Sequence, residues 1–254
     1  MIDVLYIVKA DSGHGNRELR WSLRSLAKYG RNLGRVVVVG NPPNWLSREV
    51  DAFVVPTNAK CKYRRIMDCC LRAIDVGAVN GEFLYSSDDH FLSRETDLEQ
   101  TGFYKKRDAI QSEAEYAATP GGDPWKAYHC MMTSTRDCLL HFGYPIVESC
   151  CHANTRLDTA DAETVRCLYK NNPSKYADRG MELTCTFQNV RACREGWDAS
   201  HFVRRPDSKM SSWNDAEVRQ LGFFSISDKI FSDPAFIAYM DREFGEPCKY
   251  ERAF

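Results

Sequence analysis

The chain has 254 residues, of which 43% are hydrophobic and 27% are charged, so it can bury the core of one large domain. The formal net charge of -1 gives no general attraction to nucleic acid or to an anionic membrane. No run of about 20 apolar residues predicts a membrane span. The first residues lack the basic region and the cleavage site of a signal peptide.

The cysteines predict a reducing compartment. There are eleven of them, and no two have the C-x-x-C spacing of a zinc or redox site. Free cysteines behave as small buried hydrophobes in the cytosol. We therefore expect reduced thiols and a cytoplasmic protein.

The first ninety residues alternate between apolar runs and amphipathic segments, which predicts an α/β fold with a mostly parallel, Rossmann-type sheet flanked by helices. Leu19, Leu23 and Leu26 share one face of the first helix, and Gly30 follows it at a C-cap position. The predicted elements are strands at 2–8, 36–39, 53–55 and 83–86 and helices at 17–29 and 64–74.

The pattern weakens after about residue 95. Residues 223–228 look strand-like, and 234–244 have the apolar stripe of a helix. Residues 209–214 are polar and are expected to form a mobile loop.

Two adjacent carboxylates, Asp88 and Asp89, follow the apolar strand at 83–86. Burying an unpaired carboxylate would cost several kcal/mol or force it to protonate. Mg²⁺ or Mn²⁺ carrying a phosphorylated ligand would offset that cost. An Asp-rich turn or a helix N-cap is the alternative interpretation.

Basic residues stand at two predicted helix starts, where acidic ones are usual. Helix N-termini favour anions, so these residues are candidates for binding a diphosphate, and a solvated basic face is the alternative. The chain has no G-x-x-x-x-G-K-[ST], G-x-G-x-x-G or G-x-S-x-G motif, which favours a nucleotide-diphosphate donor over a P-loop, dinucleotide or serine-hydrolase site. The candidates are Arg17 and Arg20 at the first start and Lys60, Lys62, Arg64 and Arg65 at the second.

Several segments together resemble one known family: 16–26, 36–40, 43–46, 83–92, 128–131, 223–228 and 247–251. In them the chain resembles the Stealth proteins, which are capsular-polysaccharide hexose-1-phosphate transferases, and related GT-A-type sugar transferases of bacteria and phages. Ser87 replaces the first residue of the family's Asn-Asp-Asp or Asp-x-Asp element, and Met131 stands where its His-x-Pro element has proline.

The resemblance implies a single GT-A-like domain, 1–254, with a nucleotide-sugar-binding half at 1–95 and a less regular acceptor-binding half at 96–254. It also implies Mn²⁺ or Mg²⁺ on Asp89, assisted by Asp88. Arg20, Lys62 and Arg64 would face the donor diphosphate, and Lys9 and Ala10 would border the nucleoside.

Further candidates come from histidines and carboxylates. His90 could contact the donor sugar or the metal, or simply face the sheet. His129 lies in the family element and could orient the acceptor or act as a base. Glu148 and Asp228 are alternative carboxylates at the acceptor, and His201 could be a late metal ligand.

Three functions stay open from the sequence. The first is transfer of a sugar from a nucleotide-diphosphate sugar, such as a UDP-sugar, to a hydroxyl. The second is sugar-1-phosphate transfer in polysaccharide synthesis, and the third is a degenerate nucleotide- or glycan-binding module. The acceptor is a glycan or a hydroxymethylated pyrimidine in phage DNA, which would require base flipping or access in a groove.

Overall fold

The structure is a computed structural model that describes residues 1–9, 14–56, 62–100, 102–104, 140–143, 158–163, 165–166, 202–204 and 209–252. No helix within these ranges is both long and apolar enough to cross a membrane. The elements in chain order are β1 (Ile2–Val8), α1 (Arg17–Tyr29), β2 (Gly30–Arg31), β3 (Leu33–Gly40), β4 (Val50–Val54), α2 (Lys62–Asp75), β5 (Glu82–Ser86), β6 (His90–Leu92), β7 (Thr96–Asp97), β8 (Gly102–Tyr104), β9 (Asp158–Asp161), β10 (Phe202–Arg204), α3 (Asp215–Gln220), β11 (Phe223–Ser225), a 3₁₀ helix (Asp228–Ser232) and α4 (Pro234–Phe244).

The central feature is a five-stranded sheet in the order β4-β3-β1-β5-β9. Strands β4, β3, β1 and β5 run parallel to one another, and β9 at the edge pairs antiparallel with β5. The predicted α/β class and the mostly parallel sheet are therefore confirmed.

Helices cover the sheet because alternate residues of its strands point to opposite faces. Val4 and Tyr6 of β1 pack with Leu19 and Leu23 of α1 in one hydrophobic core. Leu5 points the other way and is also fully buried, and α2 contacts β1 and β3. Apart from Asp3 near its start, β1 is apolar, as a strand of a sheet covered on both faces requires.

A second core lies between α1, α4 and the antiparallel pair β6–β11. Phe91 of β6 stacks on Phe224 of β11 with ring centroids 5.0 Å apart. Trp21, on α1, meets Phe236 of α4 edge to face at 5.7 Å. The predicted helix at 234–244 is confirmed at both ends. The division of the chain at residue 95 stays a prediction, although β9 and β11 pair with strands of the first half.

Two expectations about local structure differ from what is observed. The third strand was predicted at 53–55 but is observed at Val50–Val54. It begins earlier because β4 pairs with β3 along its whole length, from Val50 opposite Val36 to Val54 opposite Gly40. The expected mobile loop at 209–214 is instead anchored, since the Met210 amide donates to the Ser225 carbonyl at 2.8 Å.

Candidate functional site

The candidate site lies where the order of the parallel strands reverses. From β1 the chain moves outward to β3 and β4, and it then returns through α2 to β5 on the opposite side of β1. Tyr6 of β1 is in register with Ser86 of β5, so both strands end at the same edge. Ligands of open α/β sheets bind in the crevice at such a reversal. Lys9 follows β1 there, and Asp88 and Asp89 follow β5.

The turn that carries the two acids is held by its own backbone and by α1. The His90 amide donates to the Ser87 carbonyl at 3.2 Å, and the Ser87 amide donates to His90 Nδ1 at 3.2 Å. Ser22 Oγ donates to the His90 carbonyl at 2.5 Å. His90 is 2% exposed, so the residue after the acid pair is a fixed part of the core.

Asp89 is buried between a lysine and a histidine. Lys209 Nζ donates to Asp89 Oδ2, and His90 Nε2 lies 3.4 Å from Asp89 Oδ1. Because His90 Nδ1 accepts a hydrogen bond, the proton of the neutral ring is on Nε2, facing the carboxylate. The Ile226 amide also donates to the Asp89 carbonyl at 3.3 Å. The side chain and the backbone of Asp89 therefore both meet residues that follow 208.

Asp88 is the more accessible member of the pair and has a perturbed carboxyl group. Burial raises its pKa above the ordinary value, while the ammonium groups of Lys209 and Lys9 act in the opposite direction. Its Oδ1 accepts a hydrogen bond from Ser87 Oγ at 3.4 Å. Lys9 and Lys209, two lysines from distant parts of the chain, thus both act on Asp88.

The acid pair fits a hard divalent cation by the chemistry of its donors. Carboxylate oxygens suit Mg²⁺ and Mn²⁺, and Mg²⁺ is often held by one or two carboxylates together with substrate phosphates. Within the described residues no group of three or more His, Cys, Asp or Glu side chains is arranged to hold a metal. Two carboxylates leave most coordination positions of such an ion open, and a bound phosphate and water would supply further ligands.

The predicted arginines of α1 have other partners. Arg20 Nη1 donates to Glu251 Oε2 at 2.6 Å, and its guanidinium stacks on Trp45 at 4.1 Å. Arg17 is exposed, with its guanidinium 5.5 Å from the Trp21 ring centroid. These contacts do not bring either arginine to the acid pair, and their role at a donor stays a prediction.

The basic start of α2 lies beyond the carboxyl end of β4, at the same edge of the sheet as the crevice. The first turn of this helix contains no acidic residue. Lys62 and Arg64 belong to this turn, although only their backbone is described. Their part in binding a diphosphate remains a prediction.

Several predicted residues lie outside the described part of the chain: Ala10, His129, Glu148 and His201. Asp228 is described, and it is exposed at the start of the 3₁₀ helix. It lies two residues after Ile226, whose amide donates to the Asp89 carbonyl. Asp228 is therefore close in sequence to a residue that holds the turn with the two acids.

Lys209 is the site residue that sequence analysis missed. It is the first residue of the polar stretch 209–214, which was expected to form a mobile loop, but Met210 is buried and bridges to Ile226. The sequence held one indication of such a residue, because two acids that follow a buried strand need a nearby positive charge. Lys209 provides that charge from within the chain.

Comparison with models of known protein families and with curated proteins finds no match.

Proposed function

We propose that this protein is a glycosyltransferase that moves a sugar from a nucleotide-diphosphate sugar to an acceptor hydroxyl, with a GT-A-like arrangement of its sheet. One observation carries the proposal: an acid pair, acted on by Lys9 and Lys209, stands at the strand reversal of a parallel α/β sheet. A crevice of this kind is where nucleotides bind in open α/β folds.

The residues divide into groups with different tasks. Asp88 and Asp89 would hold Mn²⁺ or Mg²⁺, and this ion would neutralise the departing diphosphate. Lys9 would contact the donor from the β1 side of the crevice, where its charge already acts on Asp88. His90 would fix the orientation of the Asp89 carboxylate rather than contact the sugar, because it is buried in the turn.

The acceptor side would be served by residues other than the acid pair. Asp228 is exposed and follows the strand that anchors the acid turn, so it is a candidate base for the acceptor hydroxyl. His129 and Glu148 remain alternative candidates for that task, and His201 for the metal. The acceptor we propose is a glycan or a hydroxymethylated pyrimidine in DNA.

A donor screen tests the proposal. The protein is incubated with a panel of nucleotide sugars and Mn²⁺ or Mg²⁺, and the released nucleotide is identified. Release of the nucleoside diphosphate supports sugar transfer, whereas release of the monophosphate supports sugar-1-phosphate transfer. Absence of metal-dependent binding by any nucleotide in calorimetry would contradict both.

A variant pair links activity to the crevice. Asp89→Ala should abolish donor turnover, while Asp241→Ala on the exposed surface of α4 should retain it. Circular dichroism and the thermal midpoint show whether each variant folds. Full activity of a folded Asp89→Ala protein would refute the role of this carboxylate.

A further inference from the structure

The backbone next to Lys209 has a fixed position near the acid turn. The Met210 amide donates to the Ser225 carbonyl at 2.8 Å, and the Ser227 amide donates to the Met210 carbonyl at 3.0 Å. These bonds join the backbone next to Lys209 to β11, and β11 pairs with β6, directly after the acid turn. The lysine is therefore positioned by the sheet rather than by a free loop.

The exposure of the two partners differs. The Asp89 side chain is 11% exposed, whereas that of Lys209 is 37% exposed. A ligand that enters the crevice from solvent can thus reach the lysine before it reaches the carboxylate. An ammonium group on a flexible stem can also turn to a new partner with small changes in its rotamers.

The charges of the site favour such a change of partner. Without ligands, the two positive charges of Lys9 and Lys209 act against the two negative charges of Asp88 and Asp89, so the charges of these four residues balance. A divalent cation on the two carboxylates would leave both lysines in excess. A doubly charged diphosphate would then restore the balance by binding to them, since lysine is a common phosphate ligand.

We infer that Lys209 exchanges partners during donor binding, leaving Asp89 when a divalent cation binds the acid pair and turning to the diphosphate of the nucleotide; this rests on the proposed function. Lys209 is then a donor-binding residue. Lys209 also competes with the cation for Asp89. A nucleotide that binds Lys209 removes this competition and strengthens cation binding, and a cation on Asp89 in turn releases Lys209 for the nucleotide.

The test uses Lys209→Met in calorimetry, with Mn²⁺ alone and with UDP at saturating Mn²⁺. Removing the ammonium should tighten Mn²⁺ binding about tenfold, because one positive charge no longer opposes the ion. The same change should weaken UDP binding about tenfold, because one phosphate contact is lost. A merely structural lysine would not produce opposite effects on the two ligands.

Two controls accompany this variant. Lys249→Met removes an exposed lysine whose Nζ lies 5.1 Å from the Tyr250 ring, and it should leave both affinities unchanged. Lys209→Arg keeps the charge and should stay within about threefold of the wild type for Mn²⁺.

The wild-type protein gives a measurement that does not depend on any variant folding. If the exchange occurs, Mn²⁺ strengthens UDP binding, and UDP strengthens Mn²⁺ binding by the same factor. The inference would be overturned if Mn²⁺ and UDP bind independently of each other. It would also be overturned if Lys209→Met changes both affinities equally and in the same direction. If Lys209→Met tightens Mn²⁺ while no nucleotide binds the wild type, the proposed function fails but the competition for Asp89 stands.

Discussion

Arg24 and Glu251 form a two-point ion pair that joins α1 to the segment after α4. Arg24 Nε donates to Glu251 Oε1 at 2.6 Å, and Nη2 donates to Oε2 at 2.7 Å. Arg24 Nη1 also donates to the Phe244 and Gly245 carbonyls at 2.7 and 2.6 Å. The Glu251 side chain is only 1% exposed, so this pair and Arg20 form a buried charge cluster between distant parts of the chain.

Glu251→Ala should lower the free energy of unfolding by about 3 kcal/mol, because it leaves two arginines without their shared carboxylate. Urea denaturation at neutral pH measures the change. Glu246→Ala is the matched control, since Glu246 is exposed on the same segment, and it should shift stability by less than about 0.5 kcal/mol. Equal effects of the two substitutions would contradict a structural role for the cluster.

The same carboxylate predicts a dependence of stability on pH. Burial raises the pKa of Glu251, but hydrogen bonds from Arg24 and Arg20 outweigh it and hold the pKa below the ordinary value of 4.5. A carboxyl whose pKa is lower in the folded state stabilises the fold above its unfolded pKa, and this contribution is lost as the pH falls through the folded value.

We therefore expect the wild type to lose stability below pH 4.5 more steeply than Glu251→Gln, which cannot titrate at this position. Urea midpoints measured over a pH series compare the two slopes. Parallel curves for the two proteins below that pH would show that Glu251 titrates alike in the folded and unfolded chains.

Gly40 ends β3 in a backbone conformation that only glycine adopts easily. Its φ is +104°, and a Cβ atom there would lie 2.2 Å from the Val8 carbonyl oxygen. Gly77 also has a positive φ, +72°, but nothing lies within 4 Å of the position of its Cβ. Substituting the two glycines therefore distinguishes the cost of backbone strain, present at both positions, from the cost of a steric clash, present only at Gly40.

Gly77→Ala should cost about 1 kcal/mol from the left-handed backbone alone. Gly40→Ala should cost at least about 2 kcal/mol more, because the clash is with backbone and cannot be relieved by a rotamer change. Denaturant unfolding of both variants gives the difference. A smaller cost at Gly40 than at Gly77 would contradict the close approach of β3 to β1.

Ser22 links the core to the acid turn. Its only proton goes to the His90 carbonyl, so the Tyr6 hydroxyl must donate to Ser22 Oγ, at 2.9 Å. Burial raises the pKa of Tyr6 to about 12, so this hydroxyl stays protonated and acts as a donor at neutral pH.

Ser22→Ala should destabilise the protein by about 1–3 kcal/mol, because both buried partners lose a hydrogen bond. Tyr6→Phe removes the hydrogen bond from Tyr6 to Ser22. A double-mutant cycle of Ser22→Ala and Tyr6→Phe measures the coupling energy between the two side chains. We expect a coupling energy above about 0.5 kcal/mol. Additive effects of the two substitutions would mean that the bonds act independently.

The elements predicted well from sequence are those whose signal is local. Helix α1 was predicted with its observed bounds, because the spacing of Leu19, Leu23 and Leu26 marks one face of a helix. Helix α4 was predicted for the same reason. Strand β9 was not predicted, since four residues, Asp158–Asp161, become a strand only through pairing with β5.

The partners of the charged side chains were beyond sequence analysis for a physical reason. Lys209 meets Asp89 across 120 positions of the chain, and Arg20 meets Glu251 across 231. A local pattern marks a residue as basic or acidic but does not choose its partner. The placement of Asp88 and Asp89 at a sheet edge was predictable because it depends only on where β5 ends.

The anchoring of the acid turn has a consequence for synthesis on the ribosome. Asp89 receives its lysine from position 209 and a backbone donor from position 226, so β5 can form long before its terminal charges are compensated. Nascent chains that stop short of these positions would present this sheet edge with Lys9 but without the lysine that pairs with Asp89. Asp89 thus gains its ion pair only once the last fifth of the chain has been made.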